Sequence, residues 1–379
     1  MRIAYICLDP GIPVFGAKGA SVHVQSMVRA FQSMGAEVTL FSPRCEGTRP
    51  KGLETTPVVP FSLPSKSNAE ARMQALMALD LALPDILRDA GPFDLVYERH
   101  ALLSHSAMTW AREAGVPSVL EVNAPLMEEQ QRHREMILPQ DCLTATHAAM
   151  QSAALVAAVS PQVVRYAQDH GAQNVLHLPN AIDPAMYDRP RQGNRPFTVG
   201  FVGSLKPWHD LDVLVSAMEI LHASRPDIRL LIVGDGPERA RFSERIAALG
   251  GEISGLIPHD AVPDWLVRTD VGIAPYSAAQ DFYFSPLKLY EYMGARLPVI
   301  ASDVGDLARI VTHGDTGLIC PPDDPAALAR AIATLAQDPE RARRMGEAGH
   351  RHVIAHHTWQ ANARTVLDRS YLPVLSEGL

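Results

Sequence analysis

Short unbroken apolar runs alternate with longer stretches of helical period along this chain of 379 residues. "RIAYICL" near the start reads as a buried strand. The loop "DPGIPVFGAKGAS" follows it, then a helix "VHVQSMVRAFQSM" closed by Gly35, then a second strand "EVTLF". That is a βαβ opening. The unit recurs in "FDLVYER", the helical "LLSHSAMTWAREAG" and the strand "PSVLEVN". Residues 144–158 read as an Ala-rich helix, and "SPQVVRYAQDHG" as a further capped one.

The rhythm breaks at "LPNAIDPAMYDRPRQGNRP", where Pro, Asn, Gly and Arg leave neither a helical nor a strand period. Past it the alternation restarts with "FTVGFVGS", a helix over 211–223, "RLLIVGDG", the helix "PERARFSERIAALG", "DVGIAPY", "SPLKLYEYMGARLPVIAS" and a strand and helix ending near 337. The final helix, "TWQANARTVLDRSYL", either closes the second half or crosses back to the first. The expected fold is α/β, with two open parallel sheets covered by helices and ligands at the carboxyl ends of strands. The expected domains are 1–180, a linker 181–196, 197–356, and a terminal helix in 357–379.

Composition sets limits. Hydrophobic residues make up 47% and charged residues 20%, as in an ordinary globular chain, and the length favours two domains. A formal net charge of -8 argues against nonspecific nucleic-acid binding, because a phosphate backbone would be repelled on average. Cys7, Cys45, Cys142 and Cys320 stand far apart without a Cys-x-x-Cys pair, so disulfide or zinc scaffolding is not expected and a cytoplasmic setting fits. "MRIAYICLDPGIP" lacks a leader pattern, and no run is long enough for a membrane span. Peripheral membrane contact stays open.

One short stretch carries the strongest chemical signal. In "SPLKLYEYMG", Ser285 suits an N-cap, Pro286 the first helical position, and Gly294 the residue past the end. Lys288 then falls in the first turn, facing the positive end of the helix dipole at a cost of roughly 0.3–1 kcal/mol. An anion between Lys288 and the helix start would remove that conflict. Glu291, one turn on and set among apolar neighbours, needs a donor, which ribose hydroxyls or protein groups would supply.

Strand-end glycines at Gly203 ("FVGSLK") and Gly234 ("IVGDGPE") allow close backbone approach to a ligand, although each is also an ordinary tight turn. Lys206 follows Gly203 as a phosphate-binding or a solvated lysine would. Neither G-x-G-x-x-G nor a Walker sequence is present. The scattered histidines, His23 and His259 among them, read as surface or packing residues.

Taken in order, "FVGSLKPWHDLDVLVSAM", "LLIVGDGPER", "DVGIAPY", "SPLKLYEYMGARLPVIASDVG" and "HGDTGLICPPDDPAALARAI" resemble glycosyltransferase family 4, of the GT-B type. "LPNAID" resembles the family's hinge, with Ala181 in place of its usual glycine. The resemblance implies two Rossmann-like domains facing a cleft. It implies retaining, metal-independent transfer of a hexosyl group from a nucleotide-diphosphate sugar to a small-molecule, glycan or lipid acceptor. No cofactor is implied beyond the donor, with a UDP-sugar first and GDP- or ADP-sugars as alternatives. Neither the acceptor nor the oligomeric state is identified.

Of the family's two donor glutamates, Glu291 matches the second, ribose-binding one, while the first falls on Tyr283. Many relatives carry "SPLK" instead, with a lysine at the position of Lys288. The resemblance places the donor against Gly203, Ser204, His209, Gly234, Ser285, Pro286, Leu287 and Glu291. Lys206 and Lys288 would serve as the cations that stabilise the leaving diphosphate. His209 stands where the family's Lys-Gly pair commonly begins, with Asp210 on its glycine. On the acceptor side, Gly19 matches the glycine loop. Arg99 takes the position of a family histidine, with His100 next to it. Glu121, Asn123 and Glu128 either meet the acceptor or cap turns and a helix. Two rival functions remain: a nucleotide-sugar 2-epimerase, and a noncatalytic nucleotide-sugar-binding subunit.

Overall fold

The computed structural model describes residues 1–65, 67–133, 137–190, 195–279, 282–283 and 285–371. Two parallel sheets organise them. The first has seven strands: β1 (Arg2–Cys7), β2 (Glu37–Ser42), β3 (Val58–Pro60), β4 (Leu95–Arg99), β5 (Ser118–Val122), β6 (Leu155–Ala158) and β7 (Val175–His177). Their order is β3-β2-β1-β4-β5-β6-β7. The second has six: β8 (Thr198–Val202), β9 (Arg229–Val233), β10 (Glu252–Ile253), β11 (Val271–Ala274), β12 (Val299–Ser302) and β13 (Gly317–Cys320), in the order β10-β9-β8-β11-β12-β13. In both sheets the strand order reverses beside the first strand, the place where a doubly wound sheet opens a ligand crevice.

The chain divides into two compact units. One holds residues 1–179 with 283–285 and 359–379, the other 180–282 with 286–358. Each has its own core. Val96, Leu120 and Val156 lie fully buried at the centre of the first, and Ile232, Ile273 and Ile300 fill the second. Most strands read as apolar runs because helices cover both faces of a parallel sheet, with Glu98, Arg99 and Glu121 as buried exceptions on β4 and β5. Several helices start on side-chain caps: Ser160 accepts from the Val163 amide, and Asp324 from that of Ala327.

Several elements differ from the sequence expectation. Residues 144–158 are not one helix; a helix covers Pro139–Ser152 and "LVAA" forms β6, paired with β5. Burial between β5 and β7 overrides the helical preference of its alanines. The helix expected from Leu102 begins at Ser106, after a turn in which Leu103 takes a φ of 68°. The region expected to lack structure holds a short helix, Pro184–Tyr187, capped by Asp183, while 191–194 lie outside the described residues.

Helices Ala69–Ala90 and Pro339–His356 were not among the expected elements. The last helix, Trp359–Ser370, belongs to the first unit, where it packs on the helix Gly19–Ser33; residues 372–379 lie outside the described set. Among the described residues no helix is long and apolar enough to cross a membrane.

Candidate functional site

The carboxyl ends of β8, β9 and β10 place three glycines side by side. The Gly203 amide donates to the Val233 carbonyl at 3.0 Å, and Gly234 forms an isolated bridge with Gly255. Gly234, at a φ of 147°, tolerates no side chain, since a Cβ there would lie 2.0 Å from the Gly203 oxygen. A Cβ on Gly203 would meet the Lys288 ammonium at 3.1 Å. Gly203 and Lys288, 85 positions apart in sequence, therefore share one point in space.

Lys288 is the second residue of the helix Leu287–Gly294, whose N-cap is Pro286. This corrects the expected cap by one position: Ser285 is not the cap, and with Tyr283 it packs in the first unit. Only 6% of Lys288 is exposed. Its Nζ lies 3.2 Å from His209 Nδ1, 4.0 Å from the Phe201 ring centre and 5.4 Å from that of Tyr276. Burial pulls the ammonium down to about 7, with Glu291 opposing in part. Burial and then the neighbouring Lys288 push His209 to about 2, so its ring is neutral and Nδ1 accepts from the ammonium. A cation here meets aromatic faces, a neutral imidazole and a helix start. That is a poor resting place for a charge without an anion.

Among the described residues, Lys206 makes no hydrogen bond or ion pair with this group. Its Nζ lies 5.4 Å from the ring centre of Trp208, an exposed indole on the same loop. Ser204 is exposed and accepts the Lys206 amide through its carbonyl at 2.9 Å. Asp210 adopts a φ of 45°, the left-handed conformation that glycine takes readily, where the resembled family carries glycine.

Glu291 lies one turn beyond Lys288 and does have protein donors. His259 Nε2 is 2.7 Å from its Oε1, and Tyr187 hydrogen-bonds to the same carboxylate. Neither partner was expected to be functional. No local period links His259 or Tyr187 to Glu291, so only the fold reveals them.

In the first unit the carboxylate of Glu121 is a buried hub. Arg99 Nη1 lies 2.6 Å away, His23 Nε2 2.9 Å and the Tyr97 hydroxyl 2.5 Å, and the Asn123 amide also donates to it. Burial works to raise its carboxyl, but His23 and Arg99 prevail and hold it well below the usual carboxylate range. Glu121 is saturated by the protein, and Arg99 is its partner rather than a free cation. His23 in turn meets Trp359 edge-on, with ring centres 4.7 Å apart.

His100 follows β4 and is 4% exposed, with both ring nitrogens buried and without a hydrogen-bond partner among the described residues. Burial, then His170, pushes its ring down to about 4, so it is neutral. Glu128 lies in the first turn of the helix Leu126–His133, and its Oε2 is likewise unpartnered among the described residues. Gly19 opens the helix Gly19–Ser33, and a Cβ there would meet nothing within 4 Å. Among the described residues no group of three or more His, Cys, Asp or Glu is arranged to hold a metal ion.

Comparison with known proteins fits this architecture. Residues 17–186 match the model of Glycosyltransferase Family 4, and residues 196–338 that of Glycosyl transferases group 1. An exopolysaccharide phosphotransferase of Streptomyces coelicolor is 33% identical over 182 residues, 47% of this chain and 19% of that protein. A phosphatidyl-myo-inositol mannosyltransferase of Mycolicibacterium smegmatis is 28% identical over 59% of this chain and 58% of its own length. The chain thus spans about a fifth and somewhat over half of these two relatives.

A D-inositol 3-phosphate glycosyltransferase of Jonesia denitrificans aligns nearly end to end, 25% identical over 97% of this chain and 95% of its own. Among solved structures, HepE of Anabaena in complex with UDP superposes with a TM-score of 0.71 at 17% identity, covering 97% of this chain and 99% of that one, which supports the GT-B fold. Two adjoining glycosyltransferase models, relatives named as glycosyltransferases and a shared two-sheet fold are thus what this chain is similar to, and the likeness is to glycosyltransferases of the family 4 type.

Proposed function

We propose that the protein is a retaining glycosyltransferase that moves a hexosyl group from a nucleotide-diphosphate sugar to a small-molecule, glycan or lipid acceptor, with no required metal. The observation that carries this reading is the buried ammonium of Lys288 beside Gly203, at the carboxyl edge of the second sheet and without a salt bridge among the described residues. In this reading the donor's diphosphate lies against Gly203, Gly234 and the first turn of the helix Leu287–Gly294, and Glu291 takes the ribose. The backbone amides of Ser204 and Leu287 lie around it, and Pro286, which has no N–H, sets the start of that helix.

As the glycosidic bond breaks, negative charge grows on the leaving diphosphate. Lys288 and the first-turn amides are already in place to receive it, which is preorganised electrostatic stabilisation. The acceptor belongs to the first unit, near Gly19 and near His100 and Glu128, whose polar atoms without a partner among the described residues suit hydroxyl groups. Arg99 lines this side, held by Glu121. The UDP in the HepE complex supports UDP as the first donor base to try, and the sugar-transferring names of the relatives support a hexosyl group.

A thermal-shift panel of UDP, GDP, ADP and their hexose conjugates tests the donor half. A true donor at 100 times its Kd adds about 2.7 kcal/mol of stability. Failure of every nucleotide to raise the melting temperature would overturn the reading. Binding without turnover across sugar, glycan and lipid acceptors would instead favour a noncatalytic binding subunit, to which the tyrosine at position 283 also points.

A further inference from the structure

We propose that His259 is the positioning residue for Glu291, orienting its carboxylate toward the ribose hydroxyls of a nucleoside diphosphate and so setting a preference for ribose over deoxyribose. The inference rests on the reading of Glu291 as the ribose-binding group. His259 opens the short helical turn His259–Ala261, on the chain that leaves the carboxyl end of β10 past Gly255. Gly255 is bridged to Gly234, so His259 emerges from the same sheet edge as the proposed diphosphate site. Glu291 arrives on a different element, the helix Leu287–Gly294. The 2.7 Å contact between His259 Nε2 and Glu291 Oε1 ties the two elements together.

The chemistry favours positioning over simple structural support. An ionised carboxylate offers about four acceptor sites, and His259 and Tyr187 occupy two of them. The remaining lone pairs match a vicinal pair of hydroxyls. A glutamate side chain has three rotatable torsions, and a helical one anchored only at its own backbone would sample several orientations. With His259 and Tyr187 both engaged, the free oxygen face is fixed before ligand arrives, which lowers the ordering cost of binding. The histidine side chain is 20% exposed while that of Glu291 is 5% exposed, so the pair sits at a rim with the carboxylate the more deeply placed. A histidine held against a buried carboxylate is weak evidence of stability alone. Its location beside the glycine-lined strand ends points to recognition.

The test uses calorimetry on the full chain with the tightest binder of UDP, GDP and ADP, together with its 2′-deoxy and 3′-deoxy forms. The wild-type protein is expected to prefer the ribonucleotide by about tenfold or more over at least one deoxy form, as for a hydrogen bond to a charged group. His259→Ala should collapse that ratio to about twofold or less, while His259→Gln, which keeps a donor, retains most of it. His259→Phe keeps the ring volume without the donor and gives the same reading should the alanine variant fail to fold. A wild-type preference that survives unchanged in the folded Ala or Phe variant, with only a lower melting temperature, overturns the proposal and leaves His259 structural. No wild-type preference at either hydroxyl overturns the ribose reading of Glu291 itself, a result distinguishable from the first.

Discussion

Replacing Lys288 with methionine should make the empty protein more stable while disabling it. The side chain keeps similar length and loses its charge, so packing against Phe201 and Tyr276 survives. Burial has brought the ammonium from 10.5 to about 7. At about 1.4 kcal/mol per pKa unit, that sets a ceiling near 5 kcal/mol for the strain of keeping the charge inside. Water penetration and relaxation soften such values, so a gain of about 2–4 kcal/mol is expected.

The sign follows from proton counting. Between pH 7 and 10.5 the unfolded chain holds this proton more tightly than the folded one, so wild-type stability rises with pH over that window. The advantage of Lys288→Met is therefore full below pH 7 and fades toward 10.5. In an empty protein at neutral pH the melting temperature should rise by about 4–12 °C. Turnover should fall by about 10²–10³, the effect of removing one preorganised charge stabiliser. Differential scanning fluorimetry across pH, nucleotide calorimetry and a donor-saturated rate on the same variant supply the three readings. A variant that melts lower yet binds nucleotide and turns over normally would refute the argument, because Lys288 would then be a structural partner of its neighbours.

Further outcomes follow from the same geometry. Affinity for a nucleotide sugar, whose diphosphate does not titrate in this range, should fall above pH 7 by up to about tenfold per pH unit as Lys288 loses its proton; titration calorimetry with Lys288→Arg, which stays charged, should give a flat profile. Glu291→Gln should weaken nucleoside diphosphate binding by roughly 1.5–3 kcal/mol in a protein that still folds, and unchanged affinity would remove Glu291 from the site. Chelation with EDTA should leave the transfer rate intact, whereas complete loss restored by a divalent metal would overturn the metal-independent mechanism. Glu121→Leu should destabilise the first unit by about 3–5 kcal/mol, because Arg99 would remain buried and unpaired; a denaturant midpoint unmoved from wild type would contradict its role as a hub.

How much of this was legible in the sequence depended on the range of the interaction. "IAYIC" in β1 and "LLIV" in β9 announce themselves because a strand buried on both faces needs an unbroken apolar run, which is a local property. The helix Ala69–Ala90 gave no such signal. Leucine, methionine and alanine recur around most of its circumference, so it shows no strong polar stripe. Lys288 stood out because its conflict with the helix start is also local. His23 and Glu121 are 98 positions apart and His259 and Glu291 are 32 apart, so no period joins them. Glu121 looked like a candidate for an acceptor because a carboxylate after a strand points to the ligand edge. The residues that saturate it come from β1, β4 and the helix Gly19–Ser33.

The neutral His209 and the misplaced-looking Lys288 explain each other. In the resembled family a lysine begins the position now held by His209, on the loop after β8. Here that loop supplies a ring with no charge at neutral pH, and its Nδ1 accepts from an ammonium carried by the helix Leu287–Gly294. One positive charge thus stands near Gly203, carried by the helix Leu287–Gly294 and not by residue 209. A cation at position 209 would lie within hydrogen-bonding range of Lys288 in a site already poor in solvent, and their repulsion would add to the burial cost. A neutral imidazole avoids that penalty and orients the ammonium, so histidine at 209 and lysine at 288 form one electrostatic arrangement.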